Sequence, residues 1–266
     1  MIELLNYEFA RNALIAGSLI SILFGFLSFF VVMKKLSFLT VGISHAAFGG
    51  IALGLLIGLS PYPTAIIFCI LTGFLIASQS NRSEYDTVIG IIFALTMALG
   101  VIFLSLRKSY TFDLMSYLFG SILGINKTDL LFITITTILV TLFFTLFFKE
   151  IIFITFDKTV AKASGLPVDV FEYSIVAILS FVIVFSIKLI GIILVSAFLI
   201  IPAATTIFIA NNYKKVIMLS IVLNLVIFYS GFFLSYKLDL PAGATIVTIG
   251  ALIFFATSFI NKKFFN

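Results

Sequence analysis

The stretch YSIVAILSFVIVFSIKLIGIILVSAFLIIPAATTIFIA, Tyr173–Ala210, decides the fold class. It is apolar almost without interruption. A helix crosses the hydrocarbon core of a bilayer with about 20 apolar residues, so this run is too long for a single crossing. Three residues interrupt it, Lys188, Gly191 and Pro202, and two spans are expected here, divided among them. The bilayer admits only helices and closed barrels, because it offers the backbone no water to bond with. Barrel strands alternate apolar and polar positions. This run is continuous, so the spans are read as helices.

Outward from that stretch the rest of the chain reads the same way. Of 266 residues, 62% are hydrophobic and 10% charged, against about 25% charged in a soluble domain. A soluble core of this length could not cover so much apolar surface. Further spans are expected over about Arg11–Met33, Ser37–Leu59, Thr64–Ser78, Thr87–Leu106, Asp129–Phe148, Val216–Ser235 and Ala244–Ile260. Pro61 and Pro63 are read as a tight turn before the third. Phe112–Gly124 is amphipathic and glycine-interrupted, as a short re-entrant or interfacial helix would be. The expectation is an all-α integral membrane protein, a polytopic bundle of eight or nine transmembrane helices. Residues 1–266 then form a single transmembrane domain.

The net charge of +5 does not point to nucleic acid. Its lysines and arginines form short clusters between apolar runs, as topology determinants do. With nine spans and the N-terminus outside, Lys34, Lys35, Arg82, Lys158, Lys162, Lys214, Lys215, Lys262 and Lys263 fall inside. Arg107, Lys108, Lys237 and Lys188 fall outside, a count of nine against four. The sequence has no G-x-x-x-x-G-K-[ST] loop to hold ATP phosphates, and no TVGYG-like filter. It also lacks a run of intramembrane acids, a nucleophile elbow and an H-E-x-x-H zinc motif. The chain is therefore not expected to be its own ATPase of that type or an enzyme, and no permanently bound cofactor is expected.

Four groups of residues carry the functional reading. In GISHAAFGGIALGLLIG, Gly42–Gly58, the small residues Ala46, Gly50, Gly54 and Gly58 recur every fourth position. On a helix they form one smooth face that a neighbouring backbone can approach closely. His45, the only histidine, stands beside that face. An imidazole inside a membrane is costly and faces a partner or a pathway, and its neutral form suits transition metals. One His and one Cys, Cys69, cannot build a four-ligand structural zinc site. A transient contact on a conduction pathway asks for less, since the ion must leave again. Asp113 and Asp239 flank spans on the outer side, either as solvated loop carboxylates or as an entrance funnel for cations. Finally, Lys149–Glu172 is the longest polar stretch, lies inside, and reads as a short helix, a turn at Gly165 and a re-entering span.

Five stretches in order resemble the permease subunit of bacterial ABC importers for zinc and manganese. They are ISHAAFGGIALGLL (Ile43–Leu56), DLMSYLFGSIL (Asp113–Leu123), DKTVAKASGLPV (Asp157–Val168), GIILVSAFLIIPAATT (Gly191–Thr206) and LDLPAGATIV (Leu238–Val247). The resemblance implies a bacterial cytoplasmic-membrane protein that works as a homodimer, with the pathway between the copies. It implies a cytoplasmic ATPase dimer docking on the loop that holds Asp157, Ala161 and Gly165. It also implies a metal-loaded extracytoplasmic binding protein on the other face. His45 corresponds to the family's histidine on the second span. Many members carry an Asp four residues earlier, where this chain has Val41. DLMSYLFG resembles the zinc branch more than the manganese branch, so zinc is the expected cargo and manganese the other. Motion of the loop would shear the two copies along their small-residue faces. The rival reading is a channel or secondary carrier that needs no ATP.

Overall fold

The structure is a computed structural model and describes residues 7–79, 85–106, 120 and 124–261. Among these there is no strand. Ten helices follow in order: α1 Glu8–Met33, α2 Ser37–Ile57, α3 Pro61–Ala77, α4 Tyr85–Leu106, α5 Lys127–Leu146, α6 Phe148–Phe156, α7 Lys158–Ala163, α8 Val168–Thr206, α9 Tyr213–Leu238 and α10 Ala242–Ile260. Seven of them, all but α3, α6 and α7, are long and apolar enough to cross a membrane. The expected re-entrant helix at Phe112–Gly124, and with it Asp113, falls almost wholly outside the described residues.

Local sequence explains several helix ends. Pro61 and Pro63 stand in the first turn of α3, not in a turn ahead of it. A proline at the first helical position gives up an N–H that would be unbonded anyway, so the helix starts three residues earlier than the expected Thr64. Asn126 and Asp129 form a reciprocal capping box at the start of α5. Asn212 caps α9 by accepting from the Lys214 N–H at 2.9 Å. Inside the spans, serine and threonine hydroxyls return to carbonyls three or four residues back, as Ser21 does to Gly17 and Ser44 to Thr40. That satisfies a donor that lipid could not.

α8 runs for 39 residues. Unbent it would measure about 58 Å, nearly twice the roughly 30 Å hydrocarbon core. It is not unbent. Gly191, at φ 76° and ψ 164°, is the one non-helical residue inside it, in a region that is essentially glycine's alone. Of the three expected breakers only Gly191 breaks the helix; Pro202 lies within the continuing helix.

The helices pack as two compact units. One contains α1, α5, α9, α10 and α8 from Lys188 onward. Here α1 and α9 run antiparallel: Ser18 meets the Tyr229 hydroxyl at 2.7 Å, and the Asn224 amide donates to the Ser21 carbonyl at 3.1 Å. α5 runs parallel to α1, from Asn12 bonded to the Ile125 carbonyl at one end to Phe30 against Phe144 at the other. α9 and α10 are antiparallel, with Gly231 against Ile246 and Ile227 against Gly250. The end of α8 lies beside both, through Thr206 with Ser220 and Ile201 with Gly250.

The other unit contains α2, α3, α4, α6, α7 and α8 up to Ile187. α2 and α3 form an antiparallel hairpin, with Cys69 against Ile43 and Gly54 against Thr64. α4 runs parallel to α2, pairing Gly42 with Ile89 and Gly49 with Thr96. α8 runs antiparallel to α3, pairing Tyr173 with Phe74 and Ser180 with Cys69.

Candidate functional site

His45 sits in the middle of α2, half-buried, with its ring perpendicular to that of Phe93 on α4 and 4.8 Å between centroids. Val41 lies one turn earlier on the same face and is likewise half-buried. Among the described residues no three His, Cys, Asp or Glu side chains gather where they could hold a metal ion. Cys69 is fully buried and its thiol donates to the Ile43 carbonyl at 3.5 Å. His45 is the only histidine of the sequence.

The small-residue face of α2 is occupied by the chain's own helices. A Cβ on Gly50 would lie 2.7 Å from the Ala65 Cα, and one on Gly54 would lie 2.8 Å from the Thr64 Oγ1. Gly49, on the next face, meets the Thr96 carbonyl of α4 at 2.7 Å in the same sense. Ala46 is fully buried. Gly58 does something else: it ends α2 in the left-handed conformation with open space around it. The face expected to carry shear between two copies packs, at Gly50 and Gly54, against α3 of the same chain.

The segment between α5 and α8 is ordered from within. Asp157 caps α7 by accepting from the Val160 N–H at 2.9 Å. Ala161, fully buried, packs with Ile154 and Val168 against Leu166 and Phe171. α7 ends when the Leu166 N–H reaches back to the Ala161 carbonyl at 3.2 Å and that of Gly165 to Lys162 at 3.1 Å. This termination needs a left-handed residue, which Gly165 supplies at φ 86°. Two ion pairs tie α7 to the start of α8: Lys158 to Glu172 at 2.7 Å and Lys162 to Asp169 at 3.6 Å.

Asp239 ends α9 in the left-handed conformation at φ 54°. It lines a cleft of about 370 Å³ with Tyr7, Phe9, Ser235 and Tyr236. Asp113, the other expected entrance carboxylate, lies outside the described residues.

One pair escaped the sequence reading. Lys188 donates to Asp129 Oδ1 at 2.6 Å, with the Asp129 side chain only 10% exposed. Lys188 counted as a helix breaker and Asp129 as the start of a span. A lone lysine within an apolar run was the available signal, because it calls for a carboxylate partner.

Residues 6–261 match the ABC 3 transport family. The manganese import system permease protein ScaB of Streptococcus gordonii is 36% identical over 260 residues, covering 97% of this chain and 93% of that one. The manganese transport system membrane protein MntC of Listeria innocua is 35% identical, covering 95% and 90%. Among solved structures, PsaBC from Streptococcus pneumoniae in complex with Fab aligns with a TM-score of 0.85 at 34% identity, covering 99% of this chain and 97% of that one. With a family match along nearly its whole length and full-length relatives above 30% identity, this chain belongs to the ABC 3 transport family.

Proposed function

We propose that this chain is the membrane permease of an ATP-driven manganese importer, multi-pass in the bacterial cytoplasmic membrane and working as a homodimer. The observation that carries the reading is the full-length similarity to permeases whose names specify manganese import. These relatives favour manganese over the zinc expected from DLMSYLFG. The chain performs no covalent chemistry; a separate ATPase supplies the energy.

Nine crossings are proposed. α2 and α4 run in the same direction with α3 returning between them, so the 17 residues of α3 also cross. The break at Gly191 divides α8 into two crossings. The N-terminus is then outside and the Asp157–Gly165 segment inside, where the ATPase docks on it. A metal-binding protein delivers the ion from outside, past Asp239 and Asp113. His45 of each copy touches the ion in passing. α7, joined to α8 by two ion pairs and a small apolar core, passes the ATPase's motion to the spans.

The test is uptake by proteoliposomes holding the permease, its ATPase and its binding protein, with radiolabelled manganese and zinc compared. ATP-dependent manganese uptake that disappears in His45→Ala supports the reading. Uptake indifferent to ATP would make the chain a channel or secondary carrier and sink it.

A further inference from the structure

We propose that Asp129 and Lys188 form a releasable latch on the break in α8, closed in the state seen here and opened during each transport cycle. The inference rests on the importer reading above.

The break itself is the first ground. Gly191 is the single non-helical position in 39 residues, and a point where the two parts of α8 can change their angle without unwinding either. Gly120 lies directly against the Ile190–Gly191 backbone, so closely that a Cβ there would overlap both residues. The crossing is backbone on backbone. No side chain from Gly120 locks the angle, and the Lys188–Asp129 ion pair lies one turn from the break.

The second ground is how Asp129 divides its work. Its Oδ2 accepts from the Asn126 N–H at 3.4 Å, and the Asn126 Oδ1 accepts from the Asp129 N–H at 2.8 Å. Its Oδ1 takes Lys188. The start of α5 is also tied to α1, through Asn12 to the Ile125 carbonyl and Glu8 to Lys127 at 3.0 Å. Releasing Lys188 therefore leaves α5 capped and anchored. α5 is the fixed post and α8 the arm.

The third ground is cost. An ion pair is a poor static brace, since apolar residues of similar volume are often as stabilising or more so, and Lys188, three residues before the break at Gly191, stands near a helix end, where a lysine can reach the interface. The Lys188 side chain is 41% exposed, so its ammonium can reach water or headgroups once released.

The experiment joins the two positions by a removable bridge. In a Cys69→Ala background, Asp129→Cys with Lys188→Cys is crosslinked by a short bifunctional thiosulfonate and placed in proteoliposomes with the ATPase and binding protein. The bridge should stop ATP-driven manganese uptake, and reductant should restore it. Uptake that continues at the unbridged rate with crosslinking complete would overturn the latch. Lys188→Met provides an independent reading: its manganese imported per ATP hydrolysed should fall several-fold, and exchanging the charges, Asp129→Lys with Lys188→Asp, should recover part of it. A Lys188→Met protein coupled like wild type also overturns the proposal. Wild-type protein that imports no metal under these conditions refutes the importer reading instead, separately from the latch.

Discussion

Lys158 reaches across the turn at Gly165 to bond the carboxylate of Glu172 at 2.7 Å, joining the first residue of α7 to the first turns of α8. Both side chains are partly exposed, at 34% and 23%. A pair of that kind contributes little to stability, about 0.5 kcal/mol. Its geometric effect is larger, since it ties a six-residue helix to a 39-residue one. Glu172→Gln should therefore leave the thermal midpoint in detergent nearly unchanged while lowering manganese uptake per ATP. Exchanging the charges, Lys158→Glu with Glu172→Lys, should restore part of the coupling. Coupling unaffected by Glu172→Gln would show that the Lys158–Glu172 pair does not pass on the motion of α7.

At Gly165 the constraint is the backbone, not space. An added Cβ would meet nothing within 4 Å, yet φ is 86°. A left-handed conformation costs an ordinary L-residue about 1–2 kcal/mol, and asparagine tolerates it better. Thermal unfolding should rank wild type above Gly165→Asn, and Gly165→Asn above Gly165→Ala. Equal midpoints for the two variants would mean the turn relaxes, and that glycine is kept there for contact with a partner.

How far the sequence already disclosed this structure depended on what kind of signal each element carried. Span existence and order follow from apolar run length, because the bilayer imposes it, and the break in the Tyr173–Ala210 run was narrowed to three residues. Which of the three breaks was not legible. Lysine and an intramembrane proline can both be carried by a helix whose neighbours satisfy the freed groups, while Gly191 alone can hold φ 76° and ψ 164°. The four-residue repeat on α2 announced close helix packing but not its partner, for a smooth face fits the same chain's α3 as well as another copy. The Asp129–Lys188 pair joins residues 59 apart, and nothing in local periodicity encodes that.

Two glycines on neighbouring helices should respond in opposite ways to alanine. At Gly50 the new Cβ would be 2.7 Å from the Ala65 Cα, a backbone atom that cannot swing aside. Forced separation of α2 from α3 should cost about 1–3 kcal/mol, seen as a lower unfolding midpoint. At Gly90 on α4 the added methyl meets open space, and removing a helical glycine should gain about 0.5–1 kcal/mol. If Gly90→Ala destabilises instead, that face is covered by another molecule in the assembled transporter.

Val41 and His45 are one helical turn apart on the same half-buried face of α2. Val41→Asp would set a carboxylate beside the imidazole, turning a single passing contact into a two-donor site for a divalent ion. A charged residue at span depth costs about 3 kcal/mol, so the variant's midpoint should fall in metal-free buffer and recover when manganese is added. Uptake should then saturate at lower metal concentration, with a lower maximal rate because the ion leaves more slowly. Val41→Asn, which adds polarity without charge, should shift neither parameter comparably. Unchanged saturation in Val41→Asp, with the protein folded and ATP-driven, would place the ion's path away from this face of α2 and remove His45 from it.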